Sequence, residues 1–211
     1  MVFHTRKVEI RRLDMNFSTF CDITKKYPNE RVQVFIDGPN LYKAMSQEIP
    51  GCDLDYHKFG LKLVSQRKVI RINYYNSELN PEWDSEGAQK QQKFLAAIKR
   101  LHFLTVRTRP LRYSPDKKKR WEKGVDILIA TDMLSQAYVN GYDSMMLVSG
   151  DGDFAPVLDE IKKMGKTVEN AFFLRSRADA LIESCDIFVE LDRETLADCL
   201  RKKPPSLKEG G

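Results

Sequence analysis

The chain has 211 residues, 42% hydrophobic and 10% aromatic, with 35 Lys and Arg against 30 Asp and Glu for a formal net charge of +5. That supply of apolar side chains is enough for a buried core and excludes a globally disordered chain. No run of about 18 apolar residues is present to span a membrane. Residues 1–16 alternate charge with single apolar side chains and lack an apolar stretch before a cleavage site, which excludes a secretory signal and reads as a cytoplasmic chain. Cys21, Cys52, Cys185 and Cys199 form no CxxC pair, so zinc spacing is absent and buried thiols are expected.

Residues 1–30 show no sustained period and are expected as an extension, with one strand around residues 7–12. They can add an edge strand, form a homodimer contact or dock a protein partner. Residues 31–36 (RVQVFI) are a β-branched run closed by Asp37-Gly38-Pro39, hence a buried strand ending in a sharp turn, and Pro39 suits a helix start. A second strand is expected over 68–75, a helix over 85–101 and a third strand over 104–107. A basic loop then runs over 113–123, followed by a helix over 124–138. Residues 144–148 (SMMLV) predict a short buried strand, 154–164 a helix stopped by Gly165, and 167–173 the next strand. A short helix over 177–183, a strand over 187–191, a terminal helix over 194–201 and a loose tail over 202–211 complete the chain. Strands alternating with helices imply a mainly parallel sheet with helices on both faces. In such a sheet, ligands gather at the carboxyl ends of the strands.

The charge is unevenly placed. Residues 99–123 alone carry a net +8, and residues 124–211 a net −6. The basic segment includes Arg107, Arg109, Arg112, Lys117, Lys118, Lys119 and Arg120, with Tyr113 and Trp121 among them. Such density must be solvated: either a solubilising loop, or a surface that grips phosphates with aromatics to stack on bases.

Four carboxylates fall where the pattern places one edge of the sheet. Asp37 follows the first strand directly, as a ligand or as a turn Asp bonded to the backbone, and Asn40 turns its amide to the same spot or caps the helix. Asp151 and Asp153 follow the SMMLV strand in SGDGDF. Asp153 suits the N-cap of the next helix, which leaves Asp151 without a capping role. Asp126 in KGVD lies in a first helical turn, where the helix dipole also favours it. Asp132 is about 120° round the same helix and is expected as a supporting group or the partner of a basic side chain. Oxygen ligands without His or Cys suit Mg²⁺ or Mn²⁺ rather than zinc.

The strings FIDGPNL, KGVDILIATDML and LVSGDGDFAPVL, in this order and with LRSRADALIESCDIFVEL after them, resemble the NYN domain, the LabA-like branch of the PIN-like nuclease superfamily. The resemblance covers residues 31–192, between the extension 1–30 and a C-terminal helix and tail over 193–211. It implies a three-layer, PIN-like (Rossmann-like) α/β fold and a Mg²⁺- or Mn²⁺-dependent endoribonuclease centre. Asp37, Asp126, Asp151 and Asp153 would then be the acidic ligands, supported by Asn40 and Ser149. RNA, single-stranded or structured, is the implied partner, gripped by the basic segment. Lys123 either touches the scissile region or pairs with an acid. The alternative is an RNA-binding or scaffold module that keeps the acidic pocket without turnover. A small-molecule phosphatase is the weakest reading, since the first strand ends in DGPN rather than DxD.

Overall fold

The structure, a computed structural model, describes residues 14–114, 120–121 and 123–202. The strands are β1 (Asp14–Met15), β2 (Arg31–Asp37), β3 (Cys52–Leu54), β4 (Lys68–Glu78), β5 (Leu104–Pro110), β6 (Arg112–Tyr113), β7 (Arg120–Trp121), β8 (Ser144–Val148), β9 (Thr167–Phe173), β10 (Ile187–Leu191) and β11 (Leu200–Lys202). The helices are α1 (Phe17–Thr24), α2 (Gly38–Glu48), α3 (Tyr56–Val64), α4 (Ser85–Ile98), α5 (Val125–Tyr138), α6 (Ala155–Lys163), α7 (Asp179–Ser184) and α8 (Arg193–Leu196).

Seven strands form one sheet in the order β1-β10-β9-β8-β2-β4-β5, and every pairing in it is parallel. Parallel sheets need cover on both faces, which is why β2 and β8 read as unbroken apolar runs: Val32, Val34, Phe35, Ile36 and Met145 to Val148 are all fully buried. From β2 the chain moves outward through β4 to β5, then crosses back to β8 and moves the other way through β9 to β10. Right-handed crossovers therefore put α2, α3 and α4 on one face and α5, α6 and α7 on the other. The chain reverses direction between β2 and β8, and the carboxyl ends of these two strands are where a sheet of this kind gathers ligands.

Several local expectations shift. Part of the extension belongs to the domain: β1 adds an edge strand beside β10, and α1 buries Phe20 completely. The strand expected over 7–12 lies outside the described residues. The helix at 85–101 stops at Ile98, and the strand at 104–107 continues to Pro110 because β4 pairs with it as far as Glu78. The basic loop is partly ordered by β6 pairing antiparallel with β7. The expected helix at 177–183 becomes α7 after a 3-10 turn at Leu174–Ser176. The terminal helix over 194–201 is replaced by the four-residue α8 and by β11, which pairs antiparallel with β3. That tertiary pairing wins over local propensity. Of the cysteines, Cys185 and Cys199 are buried, whereas Cys21 and Cys52 are only partly so. Among the described residues no helix is long and apolar enough to cross a membrane.

Candidate active site

Asp37 is the last residue of β2 and the N-cap of α2. Its Oδ1 accepts the Asn40 backbone N–H at 3.2 Å and its Oδ2 accepts the Ser149 hydroxyl at 3.0 Å. The capping role and the site position thus coexist in one side chain. Gly38 is obligatory next to it, because any Cβ there would overlap the Tyr75 carbonyl and the Tyr74 hydroxyl. Asn40 reaches the loop after β8, where its side-chain oxygen accepts the Gly150 N–H at 3.0 Å. At Gly150 a Cβ would meet the Ser176 carbonyl and the Phe172 ring, so this turn too needs glycine. The loops after β2 and β8 are therefore locked together by Asn40 and Ser149.

Burial pushes the Asp37 carboxyl up to about 6; hydrogen bonds from Asn40 and Ser149 oppose that, and the fields of Asp151 and Asp126 add to it. Asp151 is half-buried, with its N–H donating to Ser149 Oγ at 3.1 Å. The capping expectation is reversed here: Asp151, not Asp153, caps the 3-10 turn Gly152–Phe154, accepting the Asp153 N–H at 3.0 Å. The short turn displaces the cap by two residues. Asp153 itself is exposed, as is Asp126 in the first turn of α5.

Asp132 takes the structural half of its expectation. It accepts the Tyr75 hydroxyl at 2.8 Å and pairs with Arg107 Nε at 3.1 Å. Tyr75 is the β4 partner of Asp37 in register, so this triad braces α5 against the sheet beside the acids. Arg107 stays substantially exposed while paired with Asp132. Arg109, Arg112 and Lys123 are exposed, and Trp121 is half exposed. Tyr113 instead stacks on Trp83, ring centroids 4.4 Å apart. Lys117, Lys118 and Lys119 lie outside the described residues, and of Arg120 only the backbone is described.

Sequence reasoning missed Tyr75 and Asn170. Asn170 is fully buried, and its amide holds the carbonyls of Leu147 and Ser149 at 3.1 and 3.0 Å, fixing the end of β8. An Asn within the apolar strand TVENAFF was the available signal.

Among the described residues no three His, Cys, Asp or Glu side chains form a ready-made metal cage. The donors at the ends of β2 and β8 are nonetheless all oxygen, and a buried carboxyl in the field of two others is a charge arrangement that a cation relieves. Mg²⁺, which keeps several waters and uses few carboxylates plus substrate phosphate, fits such a set.

The model of the NYN domain family matches residues 31–192, and the chain belongs to that family. No curated protein matches it significantly. The structure is similar to a crystal structure of a protein of unknown function from Vibrio parahaemolyticus, with a TM-score of 0.64 and 23% identity over 83% of this chain and 98% of that one. At this identity the likeness speaks for the fold alone.

Proposed function

We propose that this member of the NYN domain family is a Mg²⁺- or Mn²⁺-dependent endoribonuclease that hydrolyses RNA phosphodiester bonds at the carboxyl ends of β2 and β8. Family membership implies PIN-like, nuclease-type hydrolase chemistry. The observation that carries the reading to this site is Asp37 at the reversal point of the sheet, its carboxyl raised to about 6 by burial first and by the fields of Asp151 and Asp126 after it. In this reading Asp37, Asp126 and Asp151 hold the cation, and Asp153 serves at the exposed rim. A bound divalent cation would supply Lewis-acid polarisation of a phosphoryl oxygen and neutralise developing charge. Asn40 and Ser149 keep Asp37 oriented, while Lys123, Arg109 and Arg112 attract the phosphate backbone without reading sequence.

The test is hydrolysis of labelled single-stranded RNA, duplex RNA and single-stranded DNA in Mg²⁺, Mn²⁺ or EDTA, comparing the wild type with Asp151→Asn. Cleavage of RNA that vanishes in EDTA and in the variant is expected. Equal cleavage by the variant would remove the assignment.

A second reading, an RNA-binding or scaffold module without turnover, draws on the lack of a preformed three-ligand cage among the described residues. Salt-sensitive, metal-independent RNA binding with no product in Mn²⁺ would favour it.

A further inference from the structure

A cavity of about 1080 Å³ opens at the same carboxyl edge of the sheet, beginning at Gly38 and Pro39. It sits across the β2–α2 turn from the acids. Tyr74 lines it, whereas its neighbour Tyr75 points to the opposite face and contacts Asp132. The wall is an aromatic cluster: Tyr56, Tyr74 and Phe94 meet edge to face with centroids 4.8 to 5.8 Å apart. At its mouth stand two further rings, Tyr42 at 60% exposure and Trp121 at 47%.

The charge of the lining says what such a cavity takes: it is not cationic. Asp53, Asp55 and Asp84 face it, and its two basic side chains are already paired, Arg201 with Asp55 and Lys90 with Glu86. A phosphate is repelled from such an interior, while a neutral, flat ring bearing N–H groups is not. Ample room, stacking walls and a few polar groups are the features of a site for a planar heterocycle.

We propose that the cavity receives one unpaired nucleobase of the RNA strand whose backbone passes Asp37. The proposal rests on the endoribonuclease reading and deepens it. The phosphates stay outside on the acid and Arg109 side, and the base swings over the Gly38–Pro39 turn between Trp121 and the Tyr56–Tyr74–Phe94 wall. Selectivity for single-stranded or flipped-out nucleotides follows, because a base locked in a duplex cannot enter.

The test measures anisotropy of the full chain carrying Asp151→Asn, to prevent turnover, with a short fluorescent single-stranded RNA. A series of the same strand, each probe lacking one base, is compared with it. Loss of one particular base is expected to weaken binding about tenfold, the range of one base–aromatic stack. Trp121→Ala should bind the intact strand and that abasic probe alike. Equal binding of every abasic probe and the intact strand by the Trp121-containing protein overturns the proposal, as does no RNA binding at all. RNA hydrolysis by the wild type in Mn²⁺ is read separately. Cleavage without a base effect sinks the base site alone, and a base effect without cleavage sinks the nuclease reading alone.

Discussion

The Ser149 hydroxyl donates to Asp37 Oδ2 at 3.0 Å across 112 positions of chain, joining the ends of the two strands at which the sheet reverses direction. The same Ser149 oxygen accepts the Asp151 N–H, so one fully buried hydroxyl holds two of the acids in place.

Replacing Ser149 with Ala therefore removes a donor from Asp37 and an acceptor from Asp151 together. A loss of about 1–3 kcal/mol in unfolding free energy is expected, with RNA cleavage falling further than stability explains. Urea denaturation and cleavage rates at matched folded fraction check it; an unchanged rate in a destabilised variant would contradict the orienting role.

Asp37 carries a pH signature. Its folded pKa of about 6 lies above the ordinary 3.8, so the folded state binds the extra proton. Well below pH 3.8 the carboxyl is neutral in both states and costs nothing. As pH rises from 3.8 the unfolded chain ionises first, and a penalty builds that reaches on the order of 3 kcal/mol once pH has passed 6 and the buried group ionises too. In EDTA, Asp37→Asn should gain Tm over the wild type above pH 6 and show little difference at pH 4. A Tm difference that stays constant across that window would refute the raised pKa. Mg²⁺ should stabilise the wild type most above pH 6 and the variant least.

Arg67 and Glu169 form a fully buried pair at 2.5 and 2.9 Å, with Glu30 on the same guanidinium at 3.1 Å. Glu169→Ala leaves buried Arg67 with Glu30 as its one remaining carboxylate beside the Leu63 and Val64 carbonyls, and a loss of about 3 kcal/mol is expected. Since this cluster lies at the opposite end of the strands from Asp37, KM for RNA should not move at temperatures where the variant stays folded. A large KM change would show that the two ends of the sheet are coupled.

Exposed Arg109 and Arg112 supply phosphate contacts in the proposed binding mode. Each change to Ala should weaken RNA binding uniformly across sequences and lower the slope of log K against log salt by about 0.7, the value for single strands. Arg107→Ala differs: it also strips Asp132 of its ion pair, so it should lower Tm, which thermal melts would register.

Much of the site is legible from local pattern. Asp37 follows an apolar run with a glycine that admits no Cβ, and Ser149 to Asp153 follow a strand buried along its whole length. Asp153 does not cap the next helix, because a turn of 3-10 helix precedes that helix and takes Asp151 as its cap, a difference no spacing rule carries. The Tyr75–Asp132–Arg107 triad was not legible as a unit, for its members come from β4, α5 and β5.

The alternation of the main strands β2, β4, β5, β8, β9 and β10 with helices, the parallel α/β class and the position of Asp37, Asp151 and Asp153 just after β2 and β8 were determined by the sequence alone, through hydrophobic period and turn chemistry that act within a few residues. Tertiary structure alone decided the rest. It placed β1 on the sheet and turned the expected last helix into β11, because pairing with β10 and β3 outweighs weak local preference. It also raised the Asp37 pKa by burial, paired Arg107 with Asp132 and opened the aromatic cavity beside Gly38. The sequence's modest +5 thus conceals a basic edge, an acidic strand-end site and a cavity whose cations are already paired, since burial and long-range pairing, not composition, set which charges remain available.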